Sequence, residues 1–119
     1  MRKAVLIFLS VILLCSCREK EYDVCVYGGT SSGVIAAYTA AKSGLKVVLV
    51  EPTEHIGGMT TGGLGYTDIG NKQVVKGLAK QFYRKIGKHY GALEQWIFEP
   101  SVADSIMRDY LSEENISVL

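Results

Sequence analysis

Hydrophobic and polar positions divide the chain into stretches of different period. Residues 4–14, AVLIFLSVILL, are apolar except for Ser10 and follow Arg2 and Lys3. That run is too short to cross about 30 Å of hydrocarbon and reads as an export leader. From Tyr22 to Tyr27, YDVCVY is rich in β-branched and aromatic residues, which predicts a buried strand. Val34 to Ser43 is alanine-rich, with Val34, Ala37, Tyr38 and Ala41 on one helical face and Gly44 placed to end the helix. Lys46 to Val50, KVVLV, lacks polar alternation, the pattern of a parallel strand covered on both faces. Between Lys72 and Lys88, Val74, Leu78, Phe82 and Ile86 recur every fourth position, with Lys76, Lys80, Arg84 and Lys88 roughly opposite, predicting an amphipathic helix. Pro100 opens a further helix that presents Val102, Ala103, Ile106, Tyr110 and Leu111 on one face, with Asn115 as its stop. Ile116 to Leu119 then begins an apolar strand.

Strand, helix, strand at this spacing makes the fold class α/β, with a parallel sheet that is incomplete at the C-terminus. A sheet of two or three strands leaves one face and its edges open, so the chain is expected to be the N-terminal part of a larger protein. The expected domains are a leader at residues 1–16, a tether at 17–21 and an α/β unit at 22–119. A length of 119 residues with 48% hydrophobic and 21% charged content suits one domain or less and excludes a disordered chain. Without Arg2 and Lys3, 11 basic groups face 12 acidic ones, so no nucleic-acid partner is expected. Cysteines stand at 15, 17 and 25 only, too few for a disulfide framework once the leader is lost. His55 and His89 lie far apart, and no cluster has metal-ligand spacing, so no metal is assigned.

Thirteen glycines against two prolines, most of the glycines between Gly28 and Gly70, put the chemistry early. Gly28-Gly29-Thr30-Ser31-Ser32-Gly33 directly follows the first strand, and Glu51 closes the second, 23 residues beyond Gly28. A glycine turn between strand and helix, followed by an acid at the next strand end, is the arrangement of a Rossmann-like dinucleotide-binding βαβ unit. Gly28 would allow the tight turn and Gly33 close packing of helix on strand. The amides of Thr30 to Gly33 would face a pyrophosphate, and Glu51 would accept from two ribose hydroxyls. Thr30 stands where the usual motif has its middle glycine; Thr30, Ser31 and Ser32 could donate hydroxyls in compensation. Val34 after Gly33 excludes a Walker A loop, and the Glu51 carboxylate disfavours a 2′-phosphate. A ligand-free glycine turn with a solvated Glu51 is the plain alternative. A second cluster, His55 to Asp68 (HIGGMTTGGLGYTD), reads as a loop that requires small residues, either to pass close to a flavin or simply as mobile surface.

On YDVCVYGGTSSGVIAAYTAAKSGLKVVLVEP and HIGGMTTGGLGYTD, and weakly on FEPSVADSIM, the chain resembles the FAD-dependent oxidoreductases of the glutathione-reductase-like superfamily. The resemblance implies FAD as cofactor, with Gly28, Gly29, Thr30 and Gly33 at the pyrophosphate, Glu51 at the adenosine ribose, and Gly57, Gly58, Met59 and Thr60 along the ribityl and flavin portion. It carries no catalytic acid or base, and leaves the small-molecule or carbohydrate substrate unknown. Leu14-Cys15-Ser16-Cys17 resembles a bacterial lipobox, which implies lipidation of Cys17 and an exported, membrane-anchored protein on the periplasmic or cell-surface side. The expected function is flavin-mediated hydride transfer, with little turnover from this segment alone. Its rivals are a lipid-anchored interaction protein with a vestigial fold, and an NAD-dependent enzyme fragment. The basic positions of the 72–88 helix add the possibility of contact with anionic lipid.

Overall fold

A computed structural model describes residues 20–119; the expected leader at 1–16 and Cys17 lie outside them. The elements run β1 (Val24–Tyr27), α1 (Ser31–Lys42), β2 (Val47–Val50), α2 (Gly77–His89), α3 (Pro100–Glu113) and β3 (Ser117–Val118). The strands form a parallel sheet in the order β1-β2-β3. Parallel neighbours require a crossover, and α1 supplies the one between β1 and β2. Its register sets Val24 against Val47, Cys25 against Val48, Val26 against Leu49 and Tyr27 against Val50. Because side chains alternate across a strand, Val24, Val26, Val47 and Leu49 share one face, and Cys25, Tyr27, Val48 and Val50 the other.

The first of these faces meets α1, α1 packs in turn on α3, and α2 packs on α3. Val34 and Ala37 of α1, Leu49 of β2, Ile86 of α2 and Ala103 of α3 are fully shielded from solvent in one core. Each large aliphatic side chain buried there contributes roughly 1.5–3 kcal/mol. Val102, Ala103, Ile106, Tyr110 and Leu111 of α3 are all buried, as their spacing predicts. Asn115, at φ 51°, provides the left-handed turn into β3.

The opposite face departs from the sequence reading. Among the described residues no helix covers it, and Cys25 and Tyr27 are exposed there, Tyr27 at 76%. The expectations of a fully buried first strand and of a second strand covered on both faces therefore hold on one face only. Val48 is nonetheless buried, as a central-strand residue between flanking strands. Apolar residues without alternation specify a sheet with two apolar faces; whether both find a cover depends on what else packs there.

The helix expected over 72–88 is also shorter than its periodicity. Lys72–Val74 form a separate single 3-10 turn, and α2 starts only at Gly77, which has φ +58°. Val74 is accordingly exposed, whereas Phe82 and Ile86 are buried. Two members of the basic face are already engaged: Lys80 lies 3.5 Å and Arg84 3.2 Å from Oε1 of Glu94. Tyr83 of α2 stacks on Trp96, with ring centroids 3.9 Å apart, tying the 95–98 loop to the helix.

Candidate functional site

β1 ends in the glycine turn, and each residue of that turn has a local reason. Gly28 adopts φ +98°, a conformation that side chains resist, and its amide donates to the Val50 carbonyl at 2.8 Å. Thr30 sits in extended conformation as the N-cap of α1, and its Oγ1 accepts from the Gly33 amide at 3.2 Å. A threonine replaces the motif's middle glycine because this position has φ −64° and caps a helix. One expectation changes as a result: the Gly33 amide is turned to Thr30 and not outward to a ligand. At Gly33 itself a β-carbon would stand 1.9 Å from the Gly28 carbonyl oxygen, so only glycine lets α1 approach β1 this closely. The first turn of α1 contains no acidic residue to oppose an anion at its positive end.

Glu51 leaves β2 beside this turn. Its Oε2 accepts from the Gly29 amide at 2.5 Å, and its Oε1 accepts from the Thr53 amide at 3.0 Å and the Thr53 hydroxyl at 2.8 Å. These bonds, led by the one from Gly29, hold its carboxyl below the usual carboxylate range, so it is ionised at neutral pH. Gly29 is small because a β-carbon there would meet Ile56 at 2.9 Å and Glu51 at 3.1 Å.

The second glycine cluster folds back onto the first. Gly57 donates to the Gly29 carbonyl at 2.6 Å, and Thr30 and Gly57 form an isolated parallel bridge. The Ser31 hydroxyl donates to the Gly57 carbonyl at 2.7 Å and lies 2.7 Å from Thr60 Oγ1. Ser31 thus joins the two clusters, where the sequence suggested a phosphate donor; Thr30 and Ser32 pair their hydroxyls at 3.0 Å on the exposed side. Gly58–Thr60 form a single 3-10 turn, with Met59 exposed at 76%. His55 lies 2.9 Å from the Gly58 carbonyl oxygen through Nε2, which must therefore carry the proton, and 3.1 Å from Thr61 Oγ1. Farther on, Gly65 serves packing: its carbonyl accepts from Phe98, and a β-carbon there would stand 2.0 Å from the Phe98 carbonyl oxygen.

The structure thus brings Gly28, Gly29, Thr30, Ser31, Ser32, Gly33, Glu51, Gly57, Gly58 and Thr60 next to one another at the carboxyl end of the sheet. Three participants escaped the sequence reading. Thr53 holds Glu51, and its position two residues after an acid is a recognisable hydroxyl-turn signal. Thr61 is buried and donates to the Ile56 carbonyl. Arg108 reaches the Glu54 carbonyl from α3 at 3.1 Å, and a separation of 54 residues leaves no sequence signal for that contact.

Comparison with known proteins decides the family. Residues 23–119 match the family model for FAD dependent oxidoreductase. The chain belongs to that family. FAD is the cofactor that goes with membership. Among curated relatives, the chain is 44% identical over 57 residues to a 3-oxosteroid 1-dehydrogenase of Mycolicibacterium smegmatis, covering 48% of this chain and 10% of that protein. It is 38% identical over 87 residues to a thiamine thiazole synthase of Pyrococcus horikoshii, covering 72% of this chain and 32% of that protein. The chain therefore spans about a third or less of the curated relatives it matches. The crystal structure of Thermovibrio ammonificans THI4 has the same fold at TM-score 0.54 and 19% identity, over 99% of this chain and 44% of that one.

The chemistry of these residues is compatible with the adenosine and pyrophosphate portion of FAD. A positive helix end free of acids, a turn in which a β-carbon at Gly29 or Gly33 would collide, and an ionised acid at the adjoining strand end are the features such a group needs.

Proposed function

We propose that this chain forms the adenosine-binding, N-terminal segment of an exported, membrane-anchored FAD-dependent oxidoreductase acting on a small molecule or carbohydrate. The observation that carries the reading is the Glu51 carboxylate fixed by Thr53 and Gly29 at the edge of the glycine turn. Glu51 accepts from the ribose hydroxyls, exchanging its bond to the Gly29 amide for them. Gly28, Gly29, Thr30, Ser32 and Gly33 build the wall at the pyrophosphate, where the α1 dipole offsets its charge. Gly57, Gly58, Met59 and Thr60, held by Ser31, run along the ribityl and flavin side. Bound FAD supplies hydride acceptance, and the residues of this segment orient it. The remainder of the enzyme supplies the substrate site.

Cys17 carries the lipid, since acyl chains contribute about 0.8 kcal/mol per buried CH2 and two or more give stable anchoring. The chain then stands at the periplasmic or outer surface.

Flavin absorbance that co-elutes with the purified full-length protein, and is lost in Glu51→Lys, is the expected result. A colourless wild-type protein that also fails to take up added FAD would overturn the proposal. The sign of the pH dependence follows from the carboxylate's role as acceptor: with the Glu51 carboxyl of the ligand-free chain held below the usual carboxylate range by the Gly29 and Thr53 bonds, FAD affinity is expected to be level at neutral and mildly acidic pH and to weaken only in stronger acid, where Glu51 takes up a proton.

A further inference from the structure

Beyond the glycine turn, on the far side of Glu51, lies a cleft of about 410 Å³ lined by Glu51, Thr53, Glu54, Ile56, Arg108 and the β3 end at Val118 and Leu119. Its floor is apolar, with Ile56 buried, and its charged lining residues are Glu51, Glu54 and Arg108. Arg108 is held at two points. Its Nε donates to Asp104 Oδ2 at 2.8 Å, one turn earlier on α3, and its NH2 group donates to the Glu54 carbonyl at 3.1 Å. Glu54 directly follows Thr53, whose amide and hydroxyl both bind Glu51. A continuous path of hydrogen bonds and backbone therefore links α3 to the acid at the strand end, through Asp104, Arg108, Glu54 and Thr53.

We propose that Arg108 is a positioning residue for the adenosine end of a purine dinucleotide, fixing the 51–55 segment on α3 so that Glu51 keeps its place and the adjoining cleft keeps its shape. The inference rests on the function proposed above. The planar guanidinium suits the task because one group serves a carboxylate and a carbonyl in fixed directions. A lysine ammonium on its flexible stem lacks that fixed fork. The Arg108 side chain is half exposed, and its ion pair with Asp104 joins residues of one helix, so its removal leaves the core intact. Its contribution is to local order at the cleft.

The test uses the full-length protein with FAD removed, as wild type, R108M, R108K and D104N. Two probes are titrated, FAD and ADP, which share the adenosine and diphosphate and differ in the flavin. R108M is expected to weaken both by the same factor, roughly tenfold for the loss of one charge-assisted hydrogen bond. R108K should recover only part of this loss, and D104N should weaken both probes by less than R108M. The melting temperature without ligand should be unchanged in all three. Wild-type affinity for both probes in R108M or R108K would overturn the inference while leaving the FAD reading in place. So would a loss of affinity that tracks a fall in ligand-free melting temperature. If R108M does not fold, R108K and D104N still decide. A wild-type protein that binds neither probe overturns the function and this inference together.

Discussion

Tyr110 shows what a single buried polar atom costs this core. Its ring is covered by Tyr38, edge-on at 4.9 Å, and by the Lys85 ammonium at 4.2 Å, and its hydroxyl has no hydrogen-bond partner among the described residues. Burial pushes the phenol up to about 12. A group whose folded value is raised from an ordinary 10 favours folding below 10, and that contribution fades as pH rises toward 12. Tyr110→Phe removes the unpaired hydroxyl and keeps the ring. It should leave stability unchanged or raise it by about 1 kcal/mol at neutral pH, and it should flatten the alkaline loss, both measurable by denaturant melts across pH. A loss of more than about 1 kcal/mol at neutral pH would mean that the hydroxyl has a partner after all. The sequence placed Tyr110 on the buried face of its helix from spacing alone. It could not show that the hydroxyl is unpaired, because that depends on which residues of α1 and α2 arrive around it.

At the scale of elements, α1 carries a glycine at each end for a different reason. Gly44 has φ +90° and a β-carbon there would meet nothing, so Gly44→Ala strains only the backbone and should cost about 1 kcal/mol. At Gly33 the β-carbon would strike the Gly28 carbonyl oxygen, and Gly33→Ala should cost about 3 kcal/mol and displace the turn that faces the cofactor. Chemical denaturation of the two variants checks the order; equal losses would mean that α1 does not lie as close to β1 as described. Both glycines were legible as motif and stop signal, and so were α3, whose apolar period agrees with its burial, and the presence of the three strands, though not the exposure of one sheet face. The start of α2 was not, because the four-residue period of Val74, Leu78, Phe82 and Ile86 runs unbroken through Gly77. Backbone geometry at Gly77 overrides side-chain periodicity, and Val74 points to solvent. The joining of the two glycine clusters through Ser31 was also hidden. Ser31 Oγ meets Gly57 only once the chain has passed through β2, and both clusters read separately as loops.

At the scale of the molecule, three parallel strands carry helices on one face, and the crevice forms where the first two strands end and α1 begins. Everything that shapes it lies between residues 28 and 61 except Arg108 and the end of β3. This explains why the cofactor class could be read from a short stretch of sequence while its outer wall could not. The exposed face with Cys25 and Tyr27 was read as covered because the strands are apolar throughout; their composition states what they tolerate, and the number of layers is set by segments elsewhere. The measurement that bears most directly on the account is a crystal structure of the full-length protein grown with FAD. The expected density places the diphosphate at the N-terminus of α1 and both ribose hydroxyls within hydrogen-bond distance of Glu51. FAD bound elsewhere, with Glu51 accepting nothing from the ribose and turned only to Gly29 and Thr53, would contradict it.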